Sequence, residues 1–407
     1  MSKLKITVLL FSSFLFIQCS NGPTGPNVRD LNRLEKQLVT ADNQFGFNLF
    51  KTVNTADTGE SLFISPLSVS MALGMTRNGA AGETKQAMQS VLAFDNMSDE
   101  EINQSYRSLI DLLVHLDPKV TMQIANSIWT RQGMTFSDDF LNTNKTYFDA
   151  FVQTLDFHDA NSVAIINNWV KDNTNGKIEK IADKIDAEAV MFLINAIYFK
   201  GTWTLEFDKD LTGDAPFHLA DGSETTVRMM HLTGDLDYFE NDLFQAVDLP
   251  YGDQLYSMMI LLPKPDTDID DLVNLLNAEN WQLWNNNLNT TSIDLSLPKF
   301  KLEYEDSLKD VLTALGMGIA FDADRADFSR MLSVQKKGLF LTNVKHKTFV
   351  EVNEEGTEAA AVTSVEVGRT SVPERIRVNV NHPFLFIIRD HNSGAIIFMG
   401  KMLKPEQ

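Results

Sequence analysis

The feature that most constrains the fold of this chain is a stretch near its C-terminal end that suits both a loop and a strand. It joins a charged glycine turn to a run of small residues, Glu354-Glu355-Gly356-Thr357-Glu358-Ala359-Ala360-Ala361-Val362-Thr363. From Thr357 onward every second residue is uncharged, whereas Glu358 and Glu366 have the opposite parity. This period of two predicts a strand with one buried face. Residues 368–374, however, have the composition of an exposed, cleavable loop. We therefore predict a segment that switches between loop and strand.

The composition indicates a globular protein with a large core. The chain has 407 residues, of which 43% are hydrophobic, including 27 Phe. The formal net charge of -20 argues against binding to nucleic acid or to anionic lipid headgroups, because both require clustered Lys and Arg. A basic partner such as a cationic protease fits this charge. No dense basic helix face is visible, so we expect no heparin site.

The N-terminus has the features of an export signal. Lys3 and Lys5 precede an apolar run at residues 6–17, which is too short to span a membrane comfortably. The only cysteine of the chain, Cys19, follows this run, an arrangement that resembles a bacterial lipoprotein signal with lipid on Cys19. Gln18 is not the small residue usual before such a cysteine, so ordinary cleavage nearby is the alternative. With Cys19 lipidated, no disulfide can form in the mature chain.

The apolar patterns divide the chain into a signal peptide at 1–18, a tether at 19–30 and a single domain at 31–407. Ser65-Pro66 predicts a helix start with Ser65 as the cap. Further helices are predicted at 31–49, 100–115, 137–149, 162–175, 268–289 and 305–315. Strands are predicted at 120–129, 190–200, 244–262, 292–303 and 339–367, with a hairpin at 384–400. Helices early and strands late predict an α+β fold.

Sequence signatures of catalysis are absent. The chain has no Gly-x-Ser-x-Gly elbow, no His-Glu-x-x-His motif and no phosphate-binding glycine loop. Its 7 His are scattered, and no two have the spacing of three or four that favours a metal site on a helix. We therefore expect no enzyme, no catalytic residue, no metal and no cofactor.

Several motifs, in a fixed order along the chain, resemble those of the serpin family. They comprise residues 63–70 with Ala72-Leu73, residues 79–84, residues 195–203, residues 297–300, the charged glycine stretch, and residues 381–386 with 398–401. The resemblance extends from about residue 31 to the end. Together with the lipoprotein-like signal, it points to a bacterial, miropin-like branch of the family.

The resemblance implies a fold of three β-sheets and eight or nine helices, with an exposed reactive-centre loop at about 354–374. It also implies suicide inhibition. A serine protease attacks the loop and forms an acyl-enzyme, and the freed loop then inserts into the large sheet before deacylation is complete. Serpins are a standard example of this kind of strand addition.

The family's spacing places the reactive bond between Thr370 and Ser371. Cleavage after Arg369 would suit trypsin-like enzymes, whereas cleavage after Thr370 or Val367 would suit elastase-like or subtilisin-like enzymes. We expect more than one usable bond and hence a broad spectrum.

The resemblance also assigns three groups of residues around the sheet. The hinge comprises Glu354, Gly356, Thr357, Glu358, Ala359, Ala360 and Ala361. The shutter, a polar cluster where strands must part, comprises Ser65, Ser68, Asn195 and His346. The breach, where the hinge first enters, comprises Trp203, Lys299 and Glu354. We expect an ion pair between Lys299 and Glu354. Trp203 fits a core aromatic equally well, and both descriptions can hold.

The leading interpretation is an exported, monomeric inhibitor that forms covalent 1:1 complexes with serine proteases, and with some cysteine proteases. A lipid anchor at Cys19 would place it in a bacterial cell envelope, on the outer membrane or cell surface; otherwise it would be secreted. The alternative is a non-inhibitory serpin that acts as a carrier or chaperone, although such proteins usually lack the small hinge residues.

Overall fold

The structure, a computed structural model, describes residues 25–56, 59–185, 189–334, 338–357 and 375–406. Several predicted site residues lie outside these ranges: Cys19, Glu358, Ala359, Ala360, Ala361, Val367, Arg369, Thr370 and Ser371. The described part of the hinge consists of Glu354, Glu355, Gly356 and Thr357.

Nine α-helices form within the described ranges. They are α1 (Arg33–Ala56), α2 (Pro66–Arg77), α3 (Gly82–Val91), α4 (Asp99–His115), α5 (Asp138–Phe148), α6 (Asn161–Asn173), α7 (Ile269–Leu275), α8 (Ala278–Asn286) and α9 (Lys309–Leu312). Local chemistry explains several helix starts. The Ser65 hydroxyl accepts a hydrogen bond from the backbone N–H of Ser68 at the start of α2, and Ser98 forms a capping box with Glu101 at the start of α4.

Fifteen strands form within the same ranges. They are β1 (Leu62–Ile64), β2 (Val120–Arg131), β3 (Phe151–Leu155), β4 (Met191–Thr202), β5 (Gly213–His218), β6 (Glu224–Glu240), β7 (Phe244–Tyr251), β8 (Tyr256–Pro263), β9 (Asn289–Pro298), β10 (Phe300–Ser307), β11 (Lys345–Asn353), β12 (Gly356–Thr357), β13 (Ile376–Asn379), β14 (Phe384–Asp390) and β15 (Ile396–Met402). The predicted α+β class is confirmed.

The strands form two hydrogen-bonded sheets in the described chain, whereas the resemblance implied three. The larger sheet has the order β1-β15-β14-β8-β7-β6-β9-β13, with β5 also paired to β6. The reason for the difference is the 17-residue strand β6, which pairs with β5 over Glu224–Met229, with β9 over Met229–Tyr238 and with β7 over Asp237–Glu240. One long strand thus joins two smaller sheets into one.

The smaller sheet, called the central sheet below, has the order β10-β11-β12-β4-β2-β3. Strands β2 and β4 pair along nearly their whole length, from Val120 with Gly201 to Thr130 with Met191. Strands β4 and β11, in contrast, are joined only through the two residues of β12. Beyond Thr357 no ladder between β4 and β11 is present in the described chain, and we call this interval the slot.

Apolar side chains pack on both faces of the central sheet. On one face the Phe63 ring stacks on the rings of Phe386 and Phe398, with centroid distances of 5.5 and 5.0 Å. On the other face α6 buries Ile166 and Val170 in a smaller cluster. The slot therefore lies between two layers of packed side chains. No described helix has the length and apolar character needed to cross a membrane.

The predicted strand over 339–367 was wrong at its start and in its middle, and its last part, 358–367, lies outside the described residues. Strand β11 begins at Lys345, because the preceding residues bond elsewhere: Leu341 donates to the Ala320 carbonyl. The strand also breaks at Glu354-Glu355, where the Asn353 side chain accepts from the N–H groups of Glu355 and Gly356. The predicted helix over 268–289 was likewise interrupted, because Asn277 caps a new helix, α8.

Candidate functional site

The turn that leads into the slot is held by charged side chains and by its own backbone. Lys299 Nζ lies 2.8 Å from Glu354 Oε2, so the expected ion pair is present. Burial by itself would raise the pKa of Glu354, but the hydrogen bond and charge of Lys299 together with further hydrogen bonds outweigh burial, and the pKa is lowered. Glu355 pairs with Lys209. The Glu354 carbonyl accepts from the Phe207 N–H at 2.9 Å. These contacts fix the position of Glu354 and Glu355, the two residues before Gly356.

Gly356 occupies a position that only glycine fits. Its φ is +149°, and a Cβ on this residue would lie 2.1 Å from the Gly201 carbonyl oxygen. The close approach exists because Gly356 pairs with Thr202 on β4 and with Asn353 on β11. The first rung of β12 thus requires a residue without a side chain.

Thr357 is the first residue of the hinge whose side chain faces the protein interior. It pairs with Gly201 on one side and Val352 on the other, and only 3% of its surface is exposed. Its hydroxyl lies 2.7 Å from the Tyr251 hydroxyl. Burial raises the pKa of Tyr251, which keeps this phenol protonated and able to donate. Tyr251 was not among the predicted site residues, and no local sequence signal distinguishes it.

Trp203 is both a core aromatic and a contact of the hinge. Its ring stacks on Tyr251 with a centroid distance of 4.3 Å and an interplanar angle of 14°. Its Nε1 donates to the Asn353 carbonyl at 2.9 Å, and its backbone N–H donates to the Glu355 carbonyl at 2.9 Å. Trp203 therefore connects the core to the turn before Gly356.

Beyond Thr357 the slot widens into a cavity of about 410 Å³. Its walls include Asn195 of β4 and His346 of β11. Val69 of α2 and Ile166 of α6 also line it, so the cavity passes through the central sheet from one helix layer to the other. A volume of this size, bounded by two strand edges that lack a common ladder, is suited to an additional strand.

Three of the four predicted shutter residues, Ser68, Asn195 and His346, line this cavity, and the fourth, Ser65, is hydrogen-bonded to His346. His346 Nε2 accepts from the Ser65 N–H at 3.0 Å, and the Ser65 hydroxyl donates to the Ile397 carbonyl at 2.8 Å. The Ser68 hydroxyl donates to the Asn195 carbonyl at 3.4 Å. Burial lowers the pKa of His346 to about 4, so the ring is neutral at pH 7. The cluster is therefore a neutral hydrogen-bonded network.

In the described chain, the side-chain amide of Asn195 has a hydrogen-bonded NH₂ group and a carbonyl oxygen without a hydrogen-bond partner. Its Nδ2 donates to Asn126 Oδ1 at 2.7 Å, whereas its Oδ1 is buried without a hydrogen-bond partner in the described chain. Asn126 was missed at the sequence level, because only its pairing opposite Asn195 between β2 and β4 places it there. A buried acceptor without a donor marks a place where a further donor would fit.

A Ser, a His and an Asp also meet at a distance from the slot, but without the geometry of a catalytic triad. His391 Nε2 lies 2.7 Å from Ser257 Oγ and 3.1 Å from Asp248 Oδ2. A triad requires the two ring nitrogens to serve different partners, and here one nitrogen serves both. Arg389 also pairs with Asp248 at 3.0 Å. Burial would raise the pKa of Asp248, but the charge of Arg389 together with the hydrogen bonds from His391 and Ser257 outweighs burial, and the pKa is lowered to about 2. The cluster is an ion-paired network.

Comparisons with known proteins agree with one another. A family model described as serpin (serine protease inhibitor) matches residues 40–405. The leukocyte elastase inhibitor of Xenopus tropicalis is 35% identical over 381 residues, which cover 91% of this chain and 100% of that protein. The native structure of tengpin, a thermophilic serpin, is similar with a TM-score of 0.84 and 35% identity, and the match covers 93% of this chain and 96% of tengpin. Human thyroxine-binding globulin in complex with thyroxine is similar with a TM-score of 0.84 and 26% identity, over 92% of this chain and 100% of the globulin.

Proposed function

The chain belongs to the serpin family, and from this premise we propose that it traps serine proteases by inserting its cleaved reactive-centre loop into the slot. The observation that carries the proposal is the two-residue strand β12. It joins β4 and β11 at one end of the slot, and beyond it the two strands have no common ladder in the described chain. An added strand would satisfy both edges and bury its inward side chains.

The pairing of β12 sets the register of the incoming strand. Thr357 pairs with Gly201 and Val352, so each later residue moves one rung along β4 and β11. The inward residues Ala359 and Ala361 would then lie opposite Phe199 and Ile197. Small side chains suit these positions, because buried aromatic side chains already occupy the inward face and leave little space for larger ones. The period of two in the sequence and the register of the sheet thus agree.

The same register supports more than one usable bond. Val367 would lie opposite Met191, the first residue of β4. Cleavage after Val367, Arg369 or Thr370 therefore releases an insert that spans all of β4. Arg369 suits trypsin-like enzymes, and Val367 and Thr370 suit elastase-like or subtilisin-like enzymes. The similarity to a leukocyte elastase inhibitor supports the second class. We extend the proposal to some cysteine proteases.

The site of action follows from the N-terminal signal. We propose export, lipidation at Cys19 and residence in a bacterial cell envelope, with plain secretion if Cys19 is removed with the signal. In this setting a monomer would protect the cell from foreign proteases through 1:1 covalent complexes.

A carrier is the second candidate function, and the cavity of about 410 Å³ favours it. Pockets of this size hold small ligands, and the similar thyroxine-binding globulin is described in complex with thyroxine. The small residues at Thr357, Ala359 and Ala361 in the sequence favour the inhibitor, because a carrier has no need for an insertable hinge.

The deciding experiment mixes the mature protein with trypsin and, separately, with an elastase, followed by denaturing gel electrophoresis. A band that survives boiling near the sum of the two masses supports trapping. Its presence with both enzymes supports several usable bonds. A clipped protein without any complex would contradict the inhibitor and favour the carrier.

A further inference from the structure

The backbone around Tyr251, the last residue of β7, is bonded to the end of β4 on both sides. The Thr204 N–H donates to the Pro250 carbonyl at 2.8 Å, and the Gly252 N–H donates to the Thr202 carbonyl at 2.9 Å. These two bonds flank Tyr251 and do not involve its side chain. The position of the residue is therefore set independently of its hydroxyl group.

The Tyr251 ring lies directly over Gly201. A Cβ on Gly201 would lie 2.8 Å from the Tyr251 Cδ1 atom, so the ring occupies the space that a side chain would fill. Trp203 stacks on the ring, and Phe199 contacts it edge-to-face with a centroid distance of 5.1 Å. Because Gly201 is also the β4 partner of Thr357, this packing brings the phenol hydroxyl to the Thr357 hydroxyl.

The Tyr251 hydroxyl has a single hydrogen bond in the described chain, and its partner is Thr357. Tyr251 is fully buried, so bulk water cannot replace this partner. Withdrawal of Thr357 from the sheet would leave the phenol buried without a hydrogen bond, which costs free energy. The contact therefore favours the arrangement in which β12 is already formed.

We propose that Tyr251 is a positioning residue for the trapping reaction, because it holds Thr357 in the first rung of the slot before a protease arrives. The inference rests on the proposed function, and it concerns the uncleaved protein. Insertion of the cleaved loop then extends a rung that already exists. Because insertion competes with deacylation, a hinge that leaves this rung inserts more slowly and releases more clipped protein per trapped protease.

The test measures the stoichiometry of inhibition, that is, the moles of protein consumed per mole of trypsin trapped. Tyr251→Phe removes the hydroxyl and keeps the ring, and we expect it to raise the excess of this ratio over one by about two- to fivefold, as loss of one hydrogen bond predicts. Thr357→Val should also raise the ratio, whereas Thr357→Ser, which retains a hydroxyl, should stay near the wild type. Adding Tyr251→Phe to Thr357→Val should have no further effect, because both changes remove the same bond.

Tyr256→Phe is the matched control. Tyr256 is also fully buried and also contacts Phe199 edge-to-face, at a centroid distance of 5.5 Å. Its hydroxyl, however, donates to the Leu113 carbonyl of α4 and not to the hinge. This variant should unfold at a lower temperature than the wild type, and its stoichiometry of inhibition should be unchanged.

Hydrogen exchange of the uncleaved protein gives a readout that does not depend on trapping. The backbone amides of Gly356 and Thr357 should exchange faster in Tyr251→Phe than in the wild type or in Tyr256→Phe, because opening of the first rung exposes them.

Three results would contradict the proposal. If the wild type traps trypsin and Tyr251→Phe leaves either the ratio or the exchange unchanged, or lowers the ratio, the role of Tyr251 is overturned while the proposed function stands. Additive effects of Tyr251→Phe and Thr357→Val overturn this role as well. A wild type that is only clipped overturns the proposed function, and the role of Tyr251 in trapping is overturned with it.

Discussion

Asn195 of β4 and His346 of β11 lie at the same level on opposite sides of the slot. Each is six residues beyond the position that pairs with Thr357, since Thr357 pairs with Gly201 and Val352. One rung of an inserted strand would therefore meet both side chains, and the register assigns that rung to Thr363. Among the described residues β4 and β11 share no ladder at the shutter, and one particular residue of the loop would reach the sheet at this level.

We expect Thr363→Val to lower the stability of the cleaved, inserted form and to leave the uncleaved form unchanged. The hydroxyl would donate to Asn195 Oδ1, which is buried and has no partner in the described chain. Loss of such a hydrogen bond costs about 1 kcal/mol. Denaturant unfolding of both forms measures the effect. An equal loss in the two forms would contradict the assignment of Thr363 to this rung.

Thr357→Arg should convert the inhibitor into a substrate. Thr357 faces the interior and is 3% exposed, so the variant would bury an unpaired charge at a cost of about several kcal/mol. Trypsin should then release clipped protein without accumulating a complex on denaturing gels. Ser364→Arg, at the outward parity, is the control and should still trap. Normal complex formation by Thr357→Arg would show that the inward parity is wrong.

Gly356→Ala should disrupt the first rung of the hinge. The new Cβ would lie 2.1 Å from the Gly201 carbonyl, at a backbone φ of +149°. We expect an increased stoichiometry of inhibition, together with a loss of about 1–3 kcal/mol in the uncleaved form. The control is Gly213→Ala, because a Cβ on Gly213 has no atom within 4 Å. Equal behaviour of the two variants in stoichiometry and thermal unfolding would show that β12 contributes nothing.

The stability of the uncleaved protein should depend on the protonation of His346. Burial lowers its pKa to about 4, whereas the unfolded chain titrates near its ordinary value of 6.5. Between these values the unfolded state binds more protons, so the free energy of unfolding falls as the pH is lowered, by up to roughly 3 kcal/mol.

His346→Gln isolates this contribution, because Gln can still accept from the Ser65 N–H but cannot titrate. Above pH 6.5 the difference in unfolding free energy between wild type and variant should be constant. Between pH 6.5 and about pH 4 the wild type should lose stability relative to the variant as the pH is lowered. Urea unfolding at a series of pH values measures it. A difference that does not change with pH would exclude His346 as the titrating group.

The sequence predicted those parts of the fold that depend on local chemistry. The helix after Ser65-Pro66 formed as expected, because the cap and the proline act within one turn. The predicted strand at 120–129 is observed as part of β2. In contrast, β6 (Glu224–Glu240) was missed, because two adjacent buried residues, Met229 and Met230, interrupt its alternation.

The slot itself could not be derived from local patterns. It is a relation between β4 and β11, which are more than 140 residues apart in the chain and, among the described residues, have no common ladder beyond β12. The resemblance identified Ser65, Ser68, Asn195 and His346; the last three line one cavity, and Ser65 is hydrogen-bonded to His346. Tyr251 and Asn126 emerged only from the folded chain, because each acts through a partner on a different strand.

A sheet that lacks one strand and carries that strand on its own chain can be completed only once. The two residues of β12 already commit the direction and register of that completion, and nothing in the resulting ladder would favour its reversal. Under the proposed function, protection would therefore be limited by supply: each protease trapped would consume one copy, and the capacity of the cell would depend on how many copies it has made.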